Sequence, residues 1–147
     1  MKKRLKEKEQ IMDEQFKKTI MGAFSFSEEQ AKGLSEKQEK IIKGSPLRKA
    51  YKVIMEVVKS ENCGYKPKVG DRYVMNGSGM ILPQECTFPL CLWALAPILP
   101  ISYVIFDRLS QGQDPNGHLY DHMRCTDTGV GCGGIGEVTF KVTCEKA

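Results

Sequence analysis

The chain begins with two stretches in which apolar residues recur at helical spacing among charged ones. Over residues 3–21 this pattern predicts an amphipathic helix that ends at Gly22. A second helix is expected to start at Ser25 or Ser27, either of which can cap it, and to end at Gly44-Ser45-Pro46. Because the apolar stripe of each helix is thin, we expect both to pack on the body of the protein or on another chain.

From Lys49 onward the pattern becomes typical of strands. Residues 51–59 are rich in β-branched side chains and predict a strand, although they also fit one face of a helix, which remains the alternative. Residues 69–75 are expected to form a turn followed by a short strand, which ends at the hairpin-type turn Asn76-Gly77. Residues 120–125 form a further candidate strand, and residues 137–144 alternate cleanly between apolar and polar, which strongly indicates a strand.

Phe88 to Phe106 contains no charged residue, and nineteen residues are just enough to cross a membrane as a helix. However, Pro89, Pro97 and Pro100 each remove a helix hydrogen bond, and no positive cluster flanks the segment. The pattern therefore favours a buried, broken helix over an integral membrane span. Trp93 is expected to anchor the core because of its size.

These elements predict an α+β fold at residues 49–147, with a small, mostly antiparallel sheet packed on a central apolar helix. Residues 1–48 are predicted to form a charged, two-helix N-terminal extension. A length of 147 residues suits one such domain and an appendage.

Charge is distributed unevenly along the chain. Residues 1–60 carry 15 Lys and Arg against 9 Asp and Glu, whereas residues 61–147 carry 7 against 9. Because acids are mixed among the lysines of the extension, this pattern indicates a solvated helix face and argues against nucleic-acid binding. The expected partner is a second copy of the chain or a larger protein, bound through the N-terminal helices.

The basic start of the chain leads into no apolar run, which argues against a secretory signal and makes the cytoplasm the expected location. Thiols stay reduced there, so cysteine more often serves metal binding or thiol chemistry than disulfide formation. All six cysteines follow residue 62. One of them, Cys144, lies in an alternating strand, where a buried thiol acting as a small hydrophobe is an equal alternative.

Thiolates and imidazole bind zinc, and thiolates hold iron–sulfur clusters, so the other five cysteines and one histidine are candidate ligands. The candidate metal ligands are Cys63, Cys86, Cys91, Cys125, Cys132 and His122. The expected cofactor is zinc or an iron–sulfur cluster. No Cys-x-x-Cys pair occurs, so the spacing alone does not select between them.

Other chemistry has weaker support in the residues. The glycine-rich run 129–136 lacks a Gly-Lys-Ser/Thr and precedes a strand, so it indicates a close-approaching turn and not a phosphate loop. His122 and Cys125 would point to opposite faces of one strand, which argues against a nucleophile–base pair. No pair of carboxylates suggests acid–base catalysis.

The body of the chain resembles a family of small uncharacterised bacterial and archaeal proteins. A β-rich start leads to Cys63, and Lys68-Val-Gly-Asp-Arg-Tyr-Val74 is similar to that family's K-V-G-D-x-F-x-V strand. Cys91-Leu-Trp-Ala-Leu-Ala-Pro-Ile-Leu-Pro100 is similar to its C-P-W-A-W-x-x-(I/L)-Y-P helix start, with Leu92 and Leu95 replacing a proline and a tryptophan. Cys125-Thr-Asp127, followed by a strand, completes the match over residues 51–147.

This resemblance implies a strand at residues 51–59, an α+β domain and three shared thiols, Cys63, Cys91 and Cys125. It implies no activity. The sequence therefore predicts a cytosolic metal-binding accessory protein without independent catalysis, with these three thiols as primary ligands and Cys86 or Cys132 as the fourth. The alternatives are a thiol redox enzyme that uses Cys86 with Cys91 or Cys125 with Cys132, and a structural subunit of a larger assembly whose six thiols are buried.

Overall fold

The computed structural model describes residues 14–147 and has two compact units, of which the first ends at Lys40 and the second comprises Ile41–Ala147. The described part of the first unit is helical at residues 14–24 (α1) and Glu28–Lys32 (α2). Ser27 caps α2, as predicted, through a capping box with Gln30. The predicted end at Gly22 is wrong, since α1 continues to residue 24; its predicted part before residue 14 lies outside the described residues.

The second predicted helix is in fact two helices. Gly33 is the C-cap residue at which α2 ends. The next helix, α3, spans Glu36–Lys49 and contains Pro46. The predicted end at residues 44–46 is therefore wrong. Pro46 removes one backbone hydrogen bond, but the helix continues past it. Gly44 lies so close to the backbone of Ser110 that no Cβ would fit there. This close contact packs α3 against the backbone at Ser110.

Four strands form one antiparallel sheet in the order β2-β1-β4-β3. The strands are β1, Tyr51–Glu61; β2, Arg72–Asn76; β3, His122–Arg124; and β4, Glu137–Lys146. The strand interpretation of residues 51–59 is confirmed, and so is the alternation of residues 137–144. The predicted strand at residues 120–125 is too long, because only three of these residues pair with β4.

The uncharged segment forms two helices, α4 at Leu92–Leu95 and α5 at Ile98–Ser110, with Pro97 between them. The predicted broken helix is confirmed. One face of α5 packs with the inward side chains of the central strands in a single core. Its most buried members are Val53, Met55, Val57, Tyr73, Ile105, Phe140 and Val142. The fold is α+β, as the sequence predicted. Within residues 14–147, no helix is both long and apolar enough to cross a membrane.

Trp93 corrects the sequence analysis, because 63% of its surface is exposed. The reason is that α4 is a single turn, which can bury only one side. That side carries Ala94, which is 3% exposed, and leaves Leu92 and Trp93 facing outward. Size alone therefore predicted the wrong environment for this tryptophan.

Candidate functional site

Three of the six cysteines line one cavity of about 250 Å³ in the second unit. They are Cys63, Cys91 and Cys125, and each comes from a different segment of the chain. Cys63 follows β1, Cys91 is the residue just before α4, and Cys125 follows β3. These are the three thiols that the family resemblance placed first among the candidate ligands.

Cys63 lies in the turn that leaves β1. Its carbonyl oxygen accepts a hydrogen bond of 2.9 Å from the amide of Lys66, which closes the turn. Gly136 packs directly on this backbone, since a Cβ there would lie 2.7 Å from the Asn62 oxygen and 2.8 Å from the Cys63 nitrogen. The glycine therefore brings the glycine-rich turn into contact with the segment that carries Cys63, which is the close approach that the sequence suggested.

Cys91 is held by the buried side chain of Tyr73. The Tyr73 hydroxyl accepts a hydrogen bond from the Cys91 amide at 3.1 Å and donates one of 2.8 Å to the carbonyl of Pro89. Burial raises the pKa of this hydroxyl, so it remains a neutral donor across the physiological range. The backbone of Cys91 is in this way tied to β2 immediately before α4 begins.

Cys125 is tied to β4 through both its backbone and its thiol. Its amide donates to the Val138 carbonyl at 2.9 Å, and its sulfur accepts a hydrogen bond from the Val138 amide at 3.3 Å. A backbone N–H directed at sulfur stabilises negative charge there and is one of the contacts that tune thiolate-bound clusters. The next residue, Thr126, donates its amide to the carbonyl of Trp93 and so joins this segment to α4.

The walls between the thiols are largely apolar and partly aromatic. Phe88 and Phe140 line the cavity, and both rings stack with Tyr73, with centroid separations of 4.1 and 5.9 Å. Among residues 14–147, no Lys, Arg or His lines the cavity. A catalytic thiol is normally activated by a neighbouring cation or base, whereas a bound metal deprotonates its own thiol ligands.

Of the described residues, Asp127 is the one charged residue in the lining, and the sequence analysis named it within the Cys125-Thr-Asp127 motif without assigning it to the site. Its carboxylate accepts hydrogen bonds from the amides of Gly129, Ile135 and Gly136 at 2.9 to 3.2 Å. These three bonds lower the pKa of Asp127 below its ordinary value, led by the one from Gly129. An aspartate two residues before a glycine-rich turn was the available signal, because Asx side chains accept backbone N–H groups in turns.

The remaining candidate ligands lie elsewhere and do not line this cavity. The Cys86 sulfur accepts from the amide of Val74 and donates to the carbonyl of Leu82. Cys132 is exposed in the glycine-rich turn, and His122 is exposed with its ring 2.6 Å from the Asp121 carboxylate. Cys144 is buried in the core, where burial raises the pKa of its thiol to about 11.

All six cysteines are free thiols, and they are not uniformly buried. Two cysteine pairs were considered for redox chemistry, Cys86 with Cys91 and Cys125 with Cys132. In each pair, one thiol lines the cavity and the other lies outside it. Across residues 14–147, no three or more His, Cys, Asp or Glu side chains are grouped so as to hold a metal ion directly. The three thiols share a cavity without forming a ready-made site for a single ion.

Comparison of the chain with protein-family models, with curated proteins and with solved structures finds no match in any of the three. The resemblance carried by the K-V-G-D strand and the Cys-x-Trp-Ala helix start stays a prediction.

Proposed function

We propose that residues 49–147 hold a thiolate-ligated metal centre in an accessory role, and that Cys63, Cys91 and Cys125 are its protein ligands. The observation that carries this proposal is the convergence of three thiols from three separate segments on one apolar cavity. Soft thiolates favour zinc, copper(I) or iron–sulfur clusters over harder cations.

An iron–sulfur cluster suits this cavity better than a single zinc ion. With zinc–sulfur bonds of about 2.3 Å, thiolates around one zinc ion must nearly touch each other. A cluster instead fills the space between its ligands with iron and sulfide. Apolar walls and a backbone N–H to the Cys125 sulfur are surroundings typical of such clusters.

A four-iron cluster on three protein thiolates leaves one iron for a ligand from outside the lining residues. The cavity is open on one side, with Tyr65, Trp93 and Ile135 exposed by more than half at its rim. This opening gives the fourth position access to solvent or to a partner. This exposure supports an accessory role, in which the centre is presented to another protein.

Single substitutions of cysteine by serine test the proposal. After anaerobic purification and reconstitution with iron and sulfide, we expect Cys63→Ser, Cys91→Ser and Cys125→Ser each to lose most of the bound iron. Cys132→Ser is the matched control, because it removes an exposed thiol outside the cavity. Equal iron content in all four variants would contradict the assignment of ligands. Zinc with the same dependence on three cysteines would replace the cluster with a zinc centre.

A further inference from the structure

A second concave site lies on the opposite side of α4. It is a groove of about 520 Å³ between the end of α3, the turn after β2, α4 and α5. Leu92 and Leu95 of α4 line this groove, whereas Trp93 and Ala94 line the thiol cavity. The groove and the cavity therefore share one short helix but no lining residue.

The groove is apolar and open to solvent. Leu92, Leu99 and Tyr103 line it, and each exposes more than half of its surface. Exposed apolar residues that are grouped in a concave surface indicate a binding site, because single exposed apolar residues are common but contiguous ones are not. The volume lies in the range usual for small-molecule sites.

Within the described part of the chain, Arg48 supplies the only charge in the lining of this groove. Its guanidinium group lies over the Phe106 ring, with the central carbon 5.5 Å from the ring centroid. Its Nε is buried and has no hydrogen-bond partner among the described residues. A buried donor without a partner is unfavourable, and a guanidinium group is the side chain best suited to a carboxylate.

The backbone of Arg48 is held firmly in this position. Gly77, in the turn after β2, packs so closely on the Arg48 carbonyl that no Cβ would fit between them. The side chain therefore extends into the groove from a point of close backbone packing. A fixed backbone at a binding residue reduces the entropy lost when a ligand binds.

We propose that this groove binds an amphiphilic carboxylate, with an aliphatic chain on the apolar surface and the carboxylate on Arg48. Charge complementarity favours this occupant, because one cation in an apolar groove matches one anionic head on an apolar body. The inference is independent of the metal centre.

Isothermal titration calorimetry of the whole chain, below micellar concentrations, tests the proposal with three probes of equal chain length. We expect decanoate to bind one per chain, and decanol and decyltrimethylammonium to bind at least about tenfold more weakly, as loss of a charge-assisted hydrogen bond implies. Equal binding of the three probes, or no binding of decanoate, would overturn the proposal.

Two variants assign the contact to the groove. Arg48→Met is expected to weaken decanoate binding by about tenfold or more, whereas Lys49→Met removes a neighbouring cation outside the lining and should leave it unchanged. If Arg48→Met does not fold, Leu99→Glu carries the test, since it places a repelling carboxylate at an exposed position of the groove. Full decanoate affinity in a folded Arg48→Met or Leu99→Glu variant would overturn the proposal. So would concentration-dependent self-association abolished by Leu99→Glu, because a second copy would then be the occupant.

Discussion

Six cysteines of one chemical type occupy three kinds of environment in this protein. Cys63, Cys91 and Cys125 line the thiol cavity, Cys132 is exposed to solvent, and Cys86 and Cys144 pack outside the cavity. Because the thiolate is the reactive form, burial and local hydrogen bonding decide what each residue can do. The rate at which each thiol reacts should therefore distinguish the three environments, whatever ligand the cavity holds.

Alkylation of the native protein under anaerobic conditions should follow these environments. We expect Cys132 to react first with iodoacetamide and Cys144 last, because burial both shields the Cys144 thiol and raises its pKa to about 11. Peptide mapping by mass spectrometry after short labelling gives the order. Labelling of Cys144 at the rate of Cys132 would show that β4 is not packed as described.

Adding one side-chain carbon at Gly136 tests the close backbone contact at the site. The substitution Gly136→Ala places a Cβ against the backbone of Asn62 and Cys63, and overpacking of this kind costs about 1–3 kcal/mol of unfolding free energy. Urea denaturation measures the difference. Gly131→Ala in the same turn meets nothing within 4 Å, so its stability should stay within about 0.5 kcal/mol of the parent protein. Similar losses in both variants would remove the argument for close approach at Gly136.

At the scale of elements, sequence patterns predicted what depends on local periodicity. The alternation of β4 and the charge-free broken helix were both evident, because each buries a face that its own residues define. The sequence predictions failed where a tertiary contact determines the end of a helix or the exposure of a side chain. α3 continues past Pro46, where Gly44 packs on Ser110, and Trp93 is exposed because α4 buries only Ala94. Neither contact leaves a signal in the sequence nearby.

Helix α5 should be essential to the stability of the sheet. Ile105 is 0% exposed in the core that joins α5 to the strands, so Ile105→Ala is expected to lower the free energy of unfolding by about 2–5 kcal/mol. Val104→Ala, on the neighbouring and partly exposed face, should cost clearly less. Equal effects, measured by urea denaturation, would mean that α5 does not pack on the sheet through this face.

Asp127 makes the glycine-rich turn sensitive to acid. Its three backbone hydrogen bonds lower the pKa of the folded carboxyl, so its stabilising contribution is complete above the unfolded pKa of about 3.9 and is lost as the pH falls through the lower folded value. We expect Asp127→Asn to reduce the melting temperature at neutral pH and to flatten its decline in acid. An unchanged acid limb in this variant would assign the decline to other carboxyls.

At the scale of the whole molecule, the three proposed ligands come from positions 63, 91 and 125, and only the fold brings them together. Sequence spacing could nominate cysteines, and the resemblance selected these three, but neither could show a shared cavity. The strand order β2-β1-β4-β3 produces it, because β1 and β3 both flank β4 and both end beside it. Asp127 and the Arg48 groove likewise depend on contacts between segments that are distant in the chain.

The central claim is that this cavity holds a metal centre, and direct analysis of the untagged protein, purified without oxygen, tests it most directly. Iron, zinc and acid-labile sulfide would be quantified together with the absorption spectrum and the number of free thiols. The account predicts stoichiometric iron and sulfide with a visible absorption band, and protection of Cys63, Cys91 and Cys125 from alkylation until the metal is removed. A colourless, metal-free protein, which also takes up no iron or zinc on anaerobic reconstitution, would contradict it.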